Sequence, residues 1–324
     1  MSLSQDITIL IPTLNRSEKL SKALLYLASL SWKGAVVVGD SSNESHAKRN
    51  RDSINLFNQN MNIKYEYLNR TDYPNAGTCL QRLSQICSTK YCVYSGDDDY
   101  LLPSILEKAA QFLESHRDYV ACGGGRYNFT LNEEENQVIN VAPVNYPESS
   151  DNSHFARWTQ YSRVGLSSQY FLHRSEVWKR SLEFVDRIYD PYLGQEYLPC
   201  SLSHLMGKHH VLNSRIVLFE YNRNQNFSFI QNPYWGFLHD DRWPHSLRTV
   251  EEQIISMIKS QNEVIDSSMI TREIQRHILM ILNSQFKNNV RTYVENRNLV
   301  SKFKYHAKTS EEFELFLSII ENKL

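Results

Sequence analysis

Three consecutive aspartates, Asp97, Asp98 and Asp99, follow Gly96 directly after the apolar run Tyr91 to Tyr94 (YCVY). Neighbouring carboxylates repel one another, so such a cluster destabilises a chain unless hydrogen bonds or a cation offset the charge. A divalent ion is the simplest remedy. Mg2+ and Mn2+ prefer oxygen ligands and complete their shells with waters and substrate phosphates. The competing reading is an acidic turn that caps the next helix, because Asp is common in turns. Where the cluster sits in the fold decides between them.

The surrounding elements place it on a ligand-binding edge. Asp6 to Pro12 (DITILIP) is a short β-branched run, and Ser17 is a candidate N-cap for a helix with apolar residues at Leu20, Ala23, Leu24, Leu27 and Leu30. Gly34 to Asp40 (GAVVVGD) has the continuous apolar character of a strand buried on both faces. A helical stretch over about 44–58, a strand at Ile63 to Leu68, a helix from Pro74 to Cys87 and the strand YCVY complete a βαβαβαβ order. That order predicts an α/β, doubly wound, mostly parallel sheet with right-handed crossovers. Ligands of such sheets sit beyond the carboxyl ends of the strands. Those ends lead into Thr13 to Arg16, Asp40 to Asn43, Asn69 to Asp72 and Ser95 to Asp99, so polar and acidic residues collect on one rim.

Further along, a helix runs from Pro103 to about His116, and Tyr119 to Asn132 resembles a strand kinked at Gly123 to Gly125. The stretch 132–153 is polar, lacks a period and reads as a loop over the site. Helical patterns return near 154–164 and 174–184 and before Met206, and Arg215 to Tyr221 (RIVLFEY) reads as a late strand. An aromatic loop, Phe227 to Trp243, leads to helices with apolar stripes at Ile274, Ile278, Ile281 and Leu282 and at Phe313, Phe316, Leu317 and Ile320. The division expected is a catalytic domain over 1–230 and a C-terminal helical extension over 231–324.

Composition excludes several classes of function. The 324 residues carry 35 Lys plus Arg against 36 Asp plus Glu, a net charge of −1 that provides no field for a nucleic-acid partner. Five widely spaced cysteines without a C-x-x-C pair argue against a disulfide framework or a zinc site. The N-terminus lacks a basic region followed by an apolar one, and no apolar run approaches the ~20 residues of a membrane span. A cytoplasmic protein is expected, peripheral at most at the inner face of a membrane. The C-terminal stripes suit packing, a homodimer interface or contact with a membrane bearing a lipid-linked acceptor. They carry no basic amphipathic face that would favour the membrane.

Four segments together resemble the inverting nucleotide-sugar glycosyltransferases of family 2, which have the GT-A fold: DITILIPTLNR at 6–16, GAVVVGDSSN at 34–43, GTCLQR at 77–82 and YCVYSGDDDYLLP at 91–103. The resemblance covers roughly residues 6–220 and weakens after about 120. It implies that Pro12, Thr13, Asn15 and Arg16 line the nucleotide, with Asp40 accepting a hydrogen bond from a base edge. Gly77 and Arg82 match the G-x-x-x-A-R-N pattern that meets the diphosphate, although Gln81 and Leu83 depart from it. The D-x-D logic assigns Asp97 to the ribose side and Asp98 or Asp99 to a Mn2+ or Mg2+ ion bridging the diphosphate, with a register ambiguous by one residue.

Inverting transfer also needs a base for the acceptor hydroxyl. The resemblance points to Glu196, with Asp190 as alternate, ahead of the helix ending at Met206. A glutamate in a first helical turn also has a plainer role, through the helix dipole. His239, Asp240 and Asp241 read either as a solvated turn or as a further metal or acceptor contact. Tyr234, Trp235, Phe237 and Trp243 suit either stacking on sugar faces or packing against the C-terminal helices.

The function implied is metal-dependent transfer of a sugar from a nucleoside-diphosphate sugar to a glycan or lipid-linked glycan acceptor, in bacterial surface polysaccharide synthesis. Two rivals are a non-catalytic nucleotide-sugar-binding protein of the same fold and a sugar-phosphate nucleotidyltransferase. The second requires a glycine-rich basic loop after the first strand, which Thr13-Leu14-Asn15-Arg16 does not provide.

Overall fold

The computed structural model describes residues 3–132, 134–190, 192–221, 241–295 and 311–321, without side chains for 284–295. Its first half follows the expected alternation: β1 (Ile7–Thr13), α1 (Ser17–Ser29), β2 (Ala35–Asp40), α2 (Glu44–Phe57), β3 (Asn62–Tyr67), α3 (Ala76–Ile86) and β4 (Tyr91–Tyr94). These four strands pair in parallel, in the order β3-β2-β1-β4. Alternate side chains along each strand enter opposite faces. Ile9, Ile11, Val36 and Val38 go to one core, and Leu10 and Val37 to the other. α1 begins with Ser17 as its first helical residue and Arg16 as its N-cap, not with Ser17 as the cap. The Ser17 hydroxyl instead pairs with His46 Nδ1 at 3.0 Å.

The second half extends the same sheet with mixed pairing. It comprises β5 (Tyr100–Leu101), α4 (Pro103–Ser115), β6 (Tyr119–Leu131), β7 (Val138–Val144), α5 (His154–Val164), β8 (Leu172–Arg174), α6 (Ser175–Ser181), α7 (Leu198–Met206) and β9 (Lys208–Glu220). The nine-stranded sheet continues β4-β8-β6-β9-β5, with β7 attached to β6. β6 and β9 pair in parallel with register shifts on either side of Gly125, where the glycine-rich kink was expected.

Two expectations need correction. The stretch 132–153 is not all loop, because Val138–Val144 pairs antiparallel with β6. The late strand starts at Lys208, seven residues before Arg215. Both extra segments are held by tertiary ladder bonds to β6, which overrule weak local preference.

α8 (Trp243–Ser260) and α9 (Ser267–Glu295) bury Val250, Ile254, Ile274 and Ile278 in one core. α10 (Glu311–Ile320) buries Phe313, Phe316 and Ile320 in the other. The stripes that sequence left open between packing and dimerisation are used for packing. No helix among the described residues is long and apolar enough to cross a membrane. All five cysteines are buried and free.

Candidate active site

The aspartates lie beyond the end of β4, and each has a different environment. Asp97 is 0% exposed; its Oδ2 accepts from the Thr13 hydroxyl at 2.7 Å, and its Oδ1 meets Arg16 Nη2 at 2.6 Å. Asp98 meets Arg16 Nη1 at 2.6 Å and, at 19% side-chain exposure, is the most open of the three. Asp99 is turned inward, accepting from the Tyr170 hydroxyl at 2.6 Å and the Glu220 backbone N–H at 3.1 Å. Gly96 is required for this packing, because a Cβ there would lie 2.5 Å from Asp99 Oδ2 and 2.8 Å from Asp98 Oδ1.

The cluster holds surplus negative charge. Burial pushes Asp97 up to about 6 despite the Arg16 charge, and burial with the Asp98 charge pushes Asp99 well above the usual range. Burial works against the Arg16 cation, yet Asp97 and Asp98 hold it strongly protonated. A fourth acid, Glu220 at the end of β9, is raised to about 7 by burial even though Lys19 Nζ sits 2.5 Å from its Oε1. Four carboxylates thus face two cations. Among the described residues no group of three or more His, Cys, Asp or Glu is arranged to hold a metal ion unaided. Mg2+ needs no such cage, since one or two carboxylates with substrate phosphates suffice. Asp98, backed by Asp97, fits that mode; Asp99 is committed to Tyr170 and β9.

Asp40 is not presented to the rim. It is 0% exposed and accepts from Ser42 N at 2.8 Å, Asn50 Nδ2 at 2.8 Å and the Tyr65 hydroxyl at 2.9 Å. Its three partners make it the organiser of the β2–α2 turn rather than an open acceptor for a base edge. That turn is joined to the β1–α1 loop: Asn15 N donates to Ser42 Oγ at 2.7 Å, and Asn43 N donates to Asn15 Oδ1 at 2.8 Å. Asn15 itself adopts a left-handed φ of 55°, which Asn tolerates better than most residues. Pro12 is buried in β1 opposite Gly39, and Asp72 is exposed.

Arg82 is likewise occupied elsewhere. Its Nε and Nη2 both reach Glu66 Oε1 at 2.6 Å, an ion pair with β3. Gly77 stays near the site for a steric reason. A Cβ on it would stand 2.8 Å from Gln195 Cγ, so a larger residue would push the Gln195 side chain aside where the start of α3 approaches the segment that carries Glu196.

Glu196 lies in a π-helical turn, Leu193–Tyr197, that runs into α7. Such turns insert one extra residue into a helix and often occur at functional sites. Asp190, the alternate base expected from sequence, braces the turn, accepting from Leu193 N at 2.8 Å through its side chain. Glu196 is partly buried, and desolvation raises it to about 6, with Arg126 opposing and Asp190 adding to the shift. Tyr94 links the two acidic groups. Burial first, and then the charges of Asp99, Asp98, Glu196 and Asp97, hold its phenol well above the ordinary value.

Sequence reasoning missed Tyr94, Tyr170, Lys19, Arg126 and Glu220. Only Glu220 had a legible signal, being an acid at the end of an apolar strand, where the rim rule applies. Asp241 is exposed, and Trp243 packs at the start of α8. His239, Asp240, Tyr234, Trp235 and Phe237 lie outside the described residues.

The fold has counterparts among solved structures. S. aureus TarS 1-349 in complex with UDP-GlcNAc matches with a TM-score of 0.53 and 13% identity, covering 84% of this chain and 71% of that one. The fold is that of glycosyltransferases. A further S. aureus TarS structure gives a TM-score of 0.52 at 14% identity, covering 84% of this chain and 42% of that one, so this chain spans less than half its length. S. aureus TarS 1-349 gives 0.51 at 12% identity, covering 98% and 81% of the two chains. No protein-family model matches the glycosyltransferase-like chain, and no curated protein is similar to it in sequence.

Proposed function

We propose that this chain is a divalent-metal-dependent, inverting glycosyltransferase of family 2 that moves a sugar from a nucleoside-diphosphate sugar to a hydroxyl of a glycan or glycolipid. The observation that carries the reading is the meeting of Thr13, Arg16, Asp97 and Asp98 beyond the ends of the parallel strands β1 and β4, with Glu196 standing separately in the π-helical turn that packs against Gly77 of α3. The UDP-GlcNAc complex of TarS, which shares the fold, supports a nucleotide-sugar donor.

In this mechanism Pro12, Thr13 and Asn15 line the nucleotide, and Arg16 offsets diphosphate charge. Asp98, with Asp97 behind it, would hold Mg2+ or Mn2+, which supplies Lewis-acid stabilisation of the departing diphosphate. Glu196 is ionised at neutral pH and more basic than an ordinary glutamate, the condition that favours general-base catalysis. It takes the proton of the acceptor hydroxyl as that oxygen bonds to the anomeric carbon. The bond from that carbon to the diphosphate oxygen breaks on the opposite side, inverting the configuration. Residues 1–230 form the catalytic body and 231–324 the extension. The setting is bacterial surface polysaccharide synthesis, in the cytoplasm or peripherally at the inner membrane face.

Incubation with UDP-, GDP-, CDP- and dTDP-sugars plus Mn2+ and a pool of glycan acceptors tests this. Release of one nucleoside diphosphate, stopped by a chelator, is the expected result. Binding of a nucleotide sugar with no release from any donor points instead to a non-catalytic binding protein.

A further inference from the structure

Beside Glu196 the sheet carries polar groups that the proposed transfer does not use. Arg126 of β6 is in register with Val217 of β9, and its guanidinium lies 4.5 Å from the centroid of the Phe219 ring. That ring packs 5.8 Å from Tyr170, whose hydroxyl holds Asp99, so Arg126 stands between the Asp99 side of the rim and Glu196, on which its charge acts. Its Nε is buried with no hydrogen-bond partner among the described residues. The Tyr146 hydroxyl is also buried without a bond of full hydrogen-bonding geometry, and Arg126 acts on it both through its charge and as a nearby side-chain donor. Asn128, two residues along β6 and therefore on the same face, has a buried Oδ1 in the same state.

Leaving a buried donor or acceptor unpaired destabilises the folded chain. A leucine or methionine would pack on Phe219 without that cost. The acidic rim has its own cations in Arg16 and Lys19, so Arg126, whose charge acts on Glu196, is the cation on the Glu196 side. A guanidinium fork matches a carboxylate or phosphate in shape and charge.

We propose that Arg126, with Tyr146 beside it, binds an anionic substituent of the sugar substrates, a phosphate or a carboxylate, next to the hydroxyl that Glu196 deprotonates. The proposal rests on the reading of Glu196 as the base of a glycosyl transfer. Binding would pair the buried Arg126 Nε and fix the reacting hydroxyl relative to Glu196.

Calorimetric titration of the full chain tests this, with the nucleotide subsite filled by whichever of UDP, GDP or CDP binds best. Glucose 6-phosphate and glucuronate are compared with glucose. At least one anion should bind tenfold or more tightly than glucose, and Arg126→Gln should lose that preference while retaining nucleoside-diphosphate affinity. The better anion distinguishes a phosphorylated sugar from a uronate. If neither anion is preferred, or if Arg126→Gln keeps the preference, the proposal is overturned. Failure of the wild type to bind any nucleoside diphosphate would overturn the glycosyltransferase reading instead. Should Arg126→Gln not melt cooperatively, Arg126→Lys and Tyr146→Phe decide: each should weaken the anion severalfold, and unchanged affinity in both rejects the site.

Discussion

The acidic rim and a cluster of three histidines are both buried and titratable, but they resolve their charge in opposite ways. His173, His204 and His209 sit where β8, α7 and β9 meet, and serines bond them. Ser203 Oγ reaches His173 Nδ1 at 3.2 Å and His209 Nε2 at 3.0 Å, and His204 bonds Ser149 and Ser168 at 3.0 and 3.2 Å. The His204 and His209 rings stack at 3.6 Å. Burial lowers all three pKa values, to about 4 for His173, so the cluster is neutral at physiological pH. At the rim, Asp97 and Asp99 are raised by burial while Arg16 and Lys19 leave the four carboxylates undercompensated. Burial alone therefore does not mark a functional site. Charge that the fold leaves unbalanced does.

Glu196→Gln gives the sharpest test of that contrast: turnover should fall by roughly 10²–10⁴-fold with nucleoside-diphosphate affinity unchanged. Asp98→Asn should lower turnover about 10²-fold or more and also weaken metal-dependent nucleotide binding, measured by calorimetry. Equal nucleotide affinity in the two variants would erase the distinction between base and metal ligand.

The histidines predict an effect on stability and none on specificity. Because His173 titrates at about 4 when folded against an ordinary 6.5, the unfolded chain binds the extra proton between those values. Stability is then complete above pH 6.5 and falls by roughly 3 kcal/mol from His173 alone as the pH drops to 4, readable from melting temperature against pH. Activity should show its own acid limb near pH 6, where protonation of Glu196 removes the base. The smallest effect belongs to Arg82→Gln. Its pair with Glu66 is about a third exposed, so a stability loss of about 0.5 kcal/mol and turnover within about threefold of wild type are expected.

The parallel half of the sheet was legible because its strands are apolar on both faces and its helices are periodic. Residues 138–144 and 208–214 were not, since polar sequences such as KHHVLNS become strands only when β6 provides a partner. The site divides similarly. The acidic block and the P-T-x-N-R loop stood out by type and position, Glu196 was pointed to by the family resemblance, and Thr13, Arg16, Asp97 and Asp98 do meet in space. Asp40 and Arg82 matched the pattern but face other partners, because a carboxylate beside Asn50 and Tyr65, or an arginine beside Glu66, is claimed by the nearest complementary group. Tyr170 left no trace in the sequence, as it precedes a three-residue strand and reaches Asp99 only through the fold.

The π-helical turn at Leu193–Tyr197 makes the position of Glu196, the proposed base, depend on a count of residues as well as on their identities. Removing one residue there would let a regular α-helix run into α7, turning Glu196 by about 100° around the axis relative to the residues after it. Such a chain could keep its cores and its nucleotide site while its base faces away from the acceptor. Single-residue length change at this point is thus a route by which a lineage of such proteins could switch between enzyme and binding protein without altering a single side chain of the rim.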